Sequence, residues 1–164
     1  MMRIAILTIS DKGARGERVD ESGKLVQEMM NKIGVEVVSY QVVPDEKSVI
    51  AKDLRLLADR ERVDLILTTG GTGLSPRDVT PEATMSVIDK EVPGFAEAMR
   101  QKSLQVTPHA MLSRAVSGVR GRTLIINLPG SPKAVKECLE VILPALPHGI
   151  EILRGQAGEC ASKP

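Results

Sequence analysis

Val63-Asp64-Leu65-Ile66-Leu67-Thr68-Thr69-Gly70-Gly71-Thr72-Gly73, followed closely by Arg77-Asp78-Val79-Thr80-Pro81-Glu82-Ala83-Thr84, decides the reading of this chain. Residues 63–67 read as a buried strand that empties into three glycines and three small hydroxyls. Glycines let a backbone turn sharply and let a ligand approach its N–H groups with no Cβ in the way. At the carboxyl end of a parallel strand, such a loop lies where open α/β sheets bind ligands. Backbone amides, hydroxyls, one guanidinium (Arg77) and one carboxylate able to hold a metal (Asp78) suit an anionic phosphate compound.

Outward from this stretch, short apolar runs alternate with helix-period segments. Residues 3–9 (RIAILTI), 35–43, 63–67 and 123–128 (TLIINL) read as four strands. Between the first two, Leu25, Val26, Met29, Met30 and Ile33 form an apolar helix face stopped at Gly34. Val49, Ile50, Leu54 and Leu57 mark a second helix. Thr80-Pro81-Glu82 reads as an N-cap with proline at the first helical position, opening a helix to about Ile88. Pro93 starts another through Leu104, and Ser131-Pro132 opens one with Val135, Cys138, Leu139 and Ile142 on one side. Pro144 and Pro147 are expected to break or kink that helix before a last segment around 150–153. The pattern predicts an α/β fold in three layers, a mostly parallel sheet with helices on both faces. Residues 1–155 are expected to form a single domain and 156–164 a flexible tail.

At 164 residues the chain is long enough for a sizeable core. Its 22 basic and 21 acidic side chains give no global pull toward nucleic acid or membrane, so any anion site is local. Tyr40 and Phe95 are the only aromatics, which disfavours base stacking. Cys138 and Cys160 lie far apart without metal-ligand spacing, as in a reducing compartment, and no stretch reaches membrane-spanning length. A cytoplasmic location is the expectation.

The loop is neither a dinucleotide fingerprint nor a Walker loop, since GxGxxG and Gly-Lys-Ser/Thr are both absent. Thr80 is better placed than Asp78 to cap the next helix, which leaves the Asp78 carboxylate for other work, such as Mg²⁺. Arg77 is either a solvated loop charge or a phosphate contact. Asp45 occupies an N-cap position and also ends the second strand on the loop's edge of the sheet, so capping and metal binding both fit. Pro129-Gly130-Ser131-Pro132 repeats the strand–turn–helix arrangement, and the amides at that helix N-terminus form a phosphate seat. Ser10 and Asp11 leave the first strand on the same edge, while Asp20-Glu21-Ser22-Gly23 reads mainly as a cap. Ser113 sits in a polar loop, and His109 and His148 have no partner at useful spacing. No acyl-transfer triad or nucleophile elbow is apparent.

Taken together, Leu7-Thr8-Ile9-Ser10-Asp11, Val43-Pro44-Asp45-Glu46, Thr68-Thr69-Gly70-Gly71-Thr72-Gly73, Arg77-Asp78-Val79-Thr80-Pro81-Glu82-Ala83-Thr84, Met111-Leu112-Ser113-Arg114 and Asn127-Leu128-Pro129-Gly130-Ser131 resemble the molybdopterin adenylyltransferases. These enzymes of molybdenum cofactor synthesis include bacterial single-domain proteins and domains of fusion proteins such as gephyrin, and the resemblance runs from about Arg3 to Arg154. It implies AMP transfer from ATP to the terminal phosphate of molybdopterin, with Mg²⁺ and release of pyrophosphate. It implies a homotrimer, and the molybdate-insertion enzyme as a further partner. By position, Asp45 and Asp78 match the family's functionally important carboxylates, and residues 70–73 match its ligand-binding loop. Ser113 and Ser131 match its pterin and phosphate region. The alternative is a molybdopterin-binding paralogue of the same fold that does not catalyse transfer. The molybdate-insertion enzymes contain a similar domain but carry further domains, for which 164 residues leave no room.

Overall fold

The computed structural model describes residues 1–156. Strands β1 (Arg3–Ile9), β2 (Glu36–Val43), β3 (Leu65–Thr69) and β6 (Thr123–Leu128) run parallel. A short antiparallel pair, β4 (Lys90–Glu91) and β5 (Ser117–Arg120), extends one edge, giving the order β2-β1-β3-β6-β5-β4.

Period-two alternation splits each central strand between two cores. Ile4, Ile6, Leu65, Leu67, Leu124 and Ile126 face one way, against α2 (Glu21–Lys32), α5 (Gly94–Leu104), α6 (Pro132–Ile142) and α7 (Leu146–Arg154). Ala5, Leu7, Ile66 and Ile125 face the other, against α3 (Lys47–Arg55) and α4 (Thr80–Met85). The three-layer α/β architecture is therefore as expected. A short helix α1 (Asp11–Ala14) caps the exit of β1. Among the described residues, no helix is long and apolar enough to cross a membrane. Apart from Gln156, the expected tail lies outside the described residues, and so does Cys160.

Four local expectations are corrected. The sheet has six strands, not four, because β4 and β5 carry no apolar run. β3 begins two residues late and runs through Thr68 and Thr69. Val79, not Thr80, holds the N-cap position of α4, and Thr80 spends its hydroxyl on Gly70 instead. The helix does end before Pro144, as expected, but Pro147 takes no part in the break, since it sits in the first turn of α7, where its missing N–H costs nothing.

Asp64 anchors α7 to the start of the sheet. Arg154 donates to both its oxygens at 2.8 and 2.6 Å, and the Arg3 amide donates at 2.7 Å. Burial alone pushes this carboxyl upward, but the Arg154 guanidinium and the Arg3 amide outweigh it, so Asp64 titrates below its ordinary value of 3.8. A depressed carboxyl contributes stability that is fully present above the unfolded pKa and lost as pH falls through the folded one. Asp64→Asn is expected to lower unfolding stability by about 2 kcal/mol at pH 7. The gap from wild type narrows once pH drops below about 4. Urea unfolding across pH 2–7 checks both, and a gap independent of pH contradicts the assignment.

Candidate active site

The strand order turns back between β1 and β3, and the crevice that opens at their carboxyl ends is the candidate site. It encloses about 560 Å³. Thr8 and Ile9 of β1 with Ser10 just after it, and Thr69 of β3 with Gly70 and Gly71 just after it, line its floor, with Gly130, Ser131 and Pro132 after β6 beside them. Asp45, Asp78 and the segment from Arg18 to Ser22 complete the wall. Thr8 is 5% exposed, and among the described residues its hydroxyl makes no well-formed hydrogen bond to protein, the Tyr40 hydroxyl lying nearby. Such a buried group completes its bonding with ligand or water.

Glycine is required in the loop for two separate reasons. Gly70 and Gly71 have φ of 97° and 67°, a region that side chains rarely adopt. A Cβ on Gly70 would also stand 2.4 Å from the Ile9 carbonyl oxygen. The loop is clamped where it turns. Thr80 donates its hydroxyl to the Gly70 carbonyl at 2.9 Å and its amide to the Gly71 carbonyl at 3.1 Å. The Thr69 hydroxyl donates to the Pro129 carbonyl at 2.6 Å, joining this loop to the turn after β6. Behind both lies Asn127, wholly buried, donating to the Thr68 and Thr84 hydroxyls at 3.0 Å each and accepting from the Val116 amide.

Asp45 and Asp11 grip each other through the backbone: Asp11 N–H donates to Asp45 Oδ2 at 2.8 Å, and Asp45 N–H to Asp11 Oδ1 at 3.0 Å. Asp45 is thus not the cap of α3, whose N-cap position falls to Glu46. Burial first, and then the like charges of Asp11 and Asp78, push the Asp45 carboxyl up. Asp78 Oδ2 accepts the Ser75 amide at 3.0 Å within its own turn. Arg114 holds that turn from behind, donating to the carbonyls of Gly73 and Asp78 at 2.8 Å each and pairing with Glu82.

Of the residues expected from sequence, Ser10, Asp45, Thr69, Gly70, Gly71, Asp78, Gly130 and Ser131 meet in the crevice. Asp11, Thr72, Gly73 and Arg77 do not line it. Arg77 donates to both Asp11 oxygens and to Glu46, so its charge is already committed to carboxylates. The Asp11 carboxyl is correspondingly held low, chiefly by that hydrogen bond. Ser113 and Pro129 line a separate, mostly apolar cavity of about 220 Å³ with Met99, Ser103 and Cys138. The α6 phosphate seat is smaller than expected: Pro132 has no N–H, and Ser131 Oγ takes the Ala134 amide as an N-cap. Among the described residues, the amides of Gly71, Gly130 and Ser131 donate to no protein group.

Sequence reasoning gave no site role to Thr8, Arg18, Glu21 or Ser22, and weighed Arg114 lightly. Asp20 and Ser22 had a signal in the Asp20–Gly23 cap, and the cap is real, with the Gly23 amide donating to Asp20 Oδ1 at 2.8 Å. That the same segment also walls the crevice follows from the Ser22 hydroxyl donating to the Gly130 carbonyl at 2.7 Å, a link of 108 positions that no local pattern announces.

The residues present fit a divalent cation completed by substrate. Among the described residues, no three carboxylate, imidazole or thiol groups cluster as a protein-only metal site. Asp45 and Asp78 stand close enough to repel, and neither Oδ1 accepts a protein hydrogen bond. Mg²⁺ characteristically takes one or two carboxylates and fills its other positions with phosphate oxygens and water.

A family model described as "Probable molybdopterin binding domain" matches residues 5–148. The chain is 44% identical to the molybdopterin adenylyltransferase of Helicobacter pylori, covering 94% of this chain and 89% of that protein. It is 39% identical to the molybdopterin adenylyltransferase of Escherichia coli K12, covering 98% and 89%. Among solved structures, the molybdopterin biosynthesis enzyme MoaB of Thermus thermophilus superposes with a TM-score of 0.88 at 58% identity, covering 94% of this chain and 98% of that one. A match of this extent, over a crevice built from the shared motifs, establishes that the chain belongs to the molybdopterin adenylyltransferase family of molybdenum cofactor biosynthesis.

Proposed function

We propose that this crevice transfers AMP from ATP to the terminal phosphate of molybdopterin, releasing pyrophosphate. The chain is a nucleotidyltransferase by family, and one observation carries the assignment to this crevice. Two carboxylates, each with one oxygen that accepts no protein hydrogen bond among the described residues, share one crevice with a glycine loop and a second turn that together offer three unpaired amides. Adenylyl transfer asks little covalent chemistry of a protein; it needs two anions aligned and their charge neutralised.

Asp78 and Asp45 are the residues that would hold Mg²⁺. A metal held by them would supply neutralisation of charge on the nucleotide phosphates and on the departing pyrophosphate. Asp11 positions Asp45 through the paired backbone bonds, and Arg77 fixes Asp11. Arg114 holds the Asp78 turn. The Gly71, Gly130 and Ser131 amides are the donors to phosphate, and the Ser10 hydroxyl caps α1 by accepting the Gly13 amide at 3.0 Å. In this reading the protein works as a homotrimer in the cytoplasm, and hands its product to the molybdate-insertion enzyme.

A molybdopterin-binding paralogue without transfer is the second reading. In its favour, the 58% identity is to a protein named for molybdopterin biosynthesis with no stated reaction. Against it, both carboxylates are present and share one crevice. Pyrophosphate release from ATP and Mg²⁺, with and without molybdopterin, separates the two. Adenylyl transfer gives release that requires molybdopterin, whereas the paralogue gives binding of molybdopterin by folded protein and no release.

A further inference from the structure

Arg18 is, among the described residues, the one cation lining the crevice, which also carries Asp20, Glu21, Asp45 and Asp78. Among the described residues, it takes part in no hydrogen bond or ion pair. The neighbouring guanidinium groups are spent: Arg77 on Asp11 and Glu46, Arg114 on Glu82 and two carbonyls, and Arg15 on Glu17. An exposed arginine is ordinarily a solvated charge, and the surroundings of this one argue for more.

A crevice with four acids and one base repels a phosphate ester unless cations intervene. One metal ion between two carboxylates is largely spent on them. The neutral donors are few, because Pro132 lacks an N–H and Ser131 takes the Ala134 amide for itself. The segment bearing Arg18 is also held in place just beyond it: Asp20 accepts from the Gly23 amide and the Tyr40 hydroxyl, and Ser22 donates to Gly130. A guanidinium supplies two parallel donors that match a phosphate.

We propose that Arg18 grips a substrate phosphate from the segment between α1 and α2, the role that sequence alone offered to Arg77. The proposal rests on the transfer reading for its substrates, but phosphate binding tests it independently. Arg18→Ala is expected to lower kcat/KM for pyrophosphate release by about 10- to 100-fold with an unchanged melting temperature. Added guanidinium ion restores part of the loss, and Arg18→Lys, a point charge, falls between the two. Arg15→Ala, on the same loop, stays within about twofold of wild type. A rise in KM for ATP alone places Arg18 on the donor, and one for molybdopterin alone places it on the acceptor.

Calorimetric binding of pyrophosphate without metal is the arbiter if wild-type protein shows no turnover. Binding weakened about tenfold or more by Arg18→Ala then supports the phosphate grip while the transfer reading fails. Equal binding by both proteins, or equal turnover where turnover exists, overturns the proposal.

Discussion

Asp78→Ala lowers pyrophosphate release by at least about 100-fold, while molybdopterin still binds. The carboxylate lines the crevice and one of its oxygens makes no hydrogen bond among the described residues, so what the substitution removes is the negative charge that would hold the metal ion. The other oxygen holds the Ser75 amide, and losing that bond loosens the turn. Asp78→Asn separates the two effects, because its amide oxygen keeps the turn bond and discards the charge. Both variants failing alike in rate, with melting temperature preserved in the asparagine, identifies charge as the cause. An asparagine variant that turns over normally removes Asp78 from the metal-holding role. Steady-state pyrophosphate assays and thermal melts decide it.

Gly70→Ala is the second large effect, and it reaches stability and activity together. At φ of 97° any Cβ is strained, and this one would meet a backbone oxygen at 2.4 Å, so neither partner can simply rotate aside. The expected cost is about 3 kcal/mol of unfolding free energy. For a domain of this size, that is a fall of roughly 6–12 °C in Tm. Displacement of the loop also moves its Gly71 amide relative to Gly130 and Ser131, and a misplacement near 1 Å costs about 100-fold in rate. Gly121→Ala is the control: its φ of 57° is also positive, but nothing lies within 4 Å of its added Cβ, so its cost stays near 1 kcal/mol. Equal losses for the two variants would mean that the contact with Ile9 is not the cause.

The parts of this fold that could be read in the sequence are those where local chemistry and burial agree. β1 and β6 keep their expected ends because each is buried almost throughout, the polar Thr123 and Asn127 of β6 spending their side chains on internal hydrogen bonds. β3 extends past its apolar run because Thr68 and Thr69 satisfy their hydroxyls internally, on Asn127 and Pro129, and so behave as core residues. β5 contains Gly118, where a Cβ would stand 2.6 Å from Ile88 Cδ1 and 2.7 Å from the Lys90 carbonyl. Its requirement is thinness rather than hydrophobicity, a property that periodicity does not register. The same division holds in the site. The glycine loop and Asp78 were singled out by residue type and strand position, whereas position left capping and metal binding both open for Asp45 and only the family resemblance favoured the second. The fate of Arg77 and the exposure of Arg18 to the crevice depend on which acids fold up beside them, and those lie 66 and 31 positions from Arg77.

The most direct test of the central claim follows the phosphorus. With molybdopterin, Mg²⁺ and ATP labelled in separate reactions at the α and γ positions, adenylyl transfer places the α label on the pterin and releases the γ label in pyrophosphate. A γ label on the pterin, or release of either label at the same rate without molybdopterin, contradicts the account.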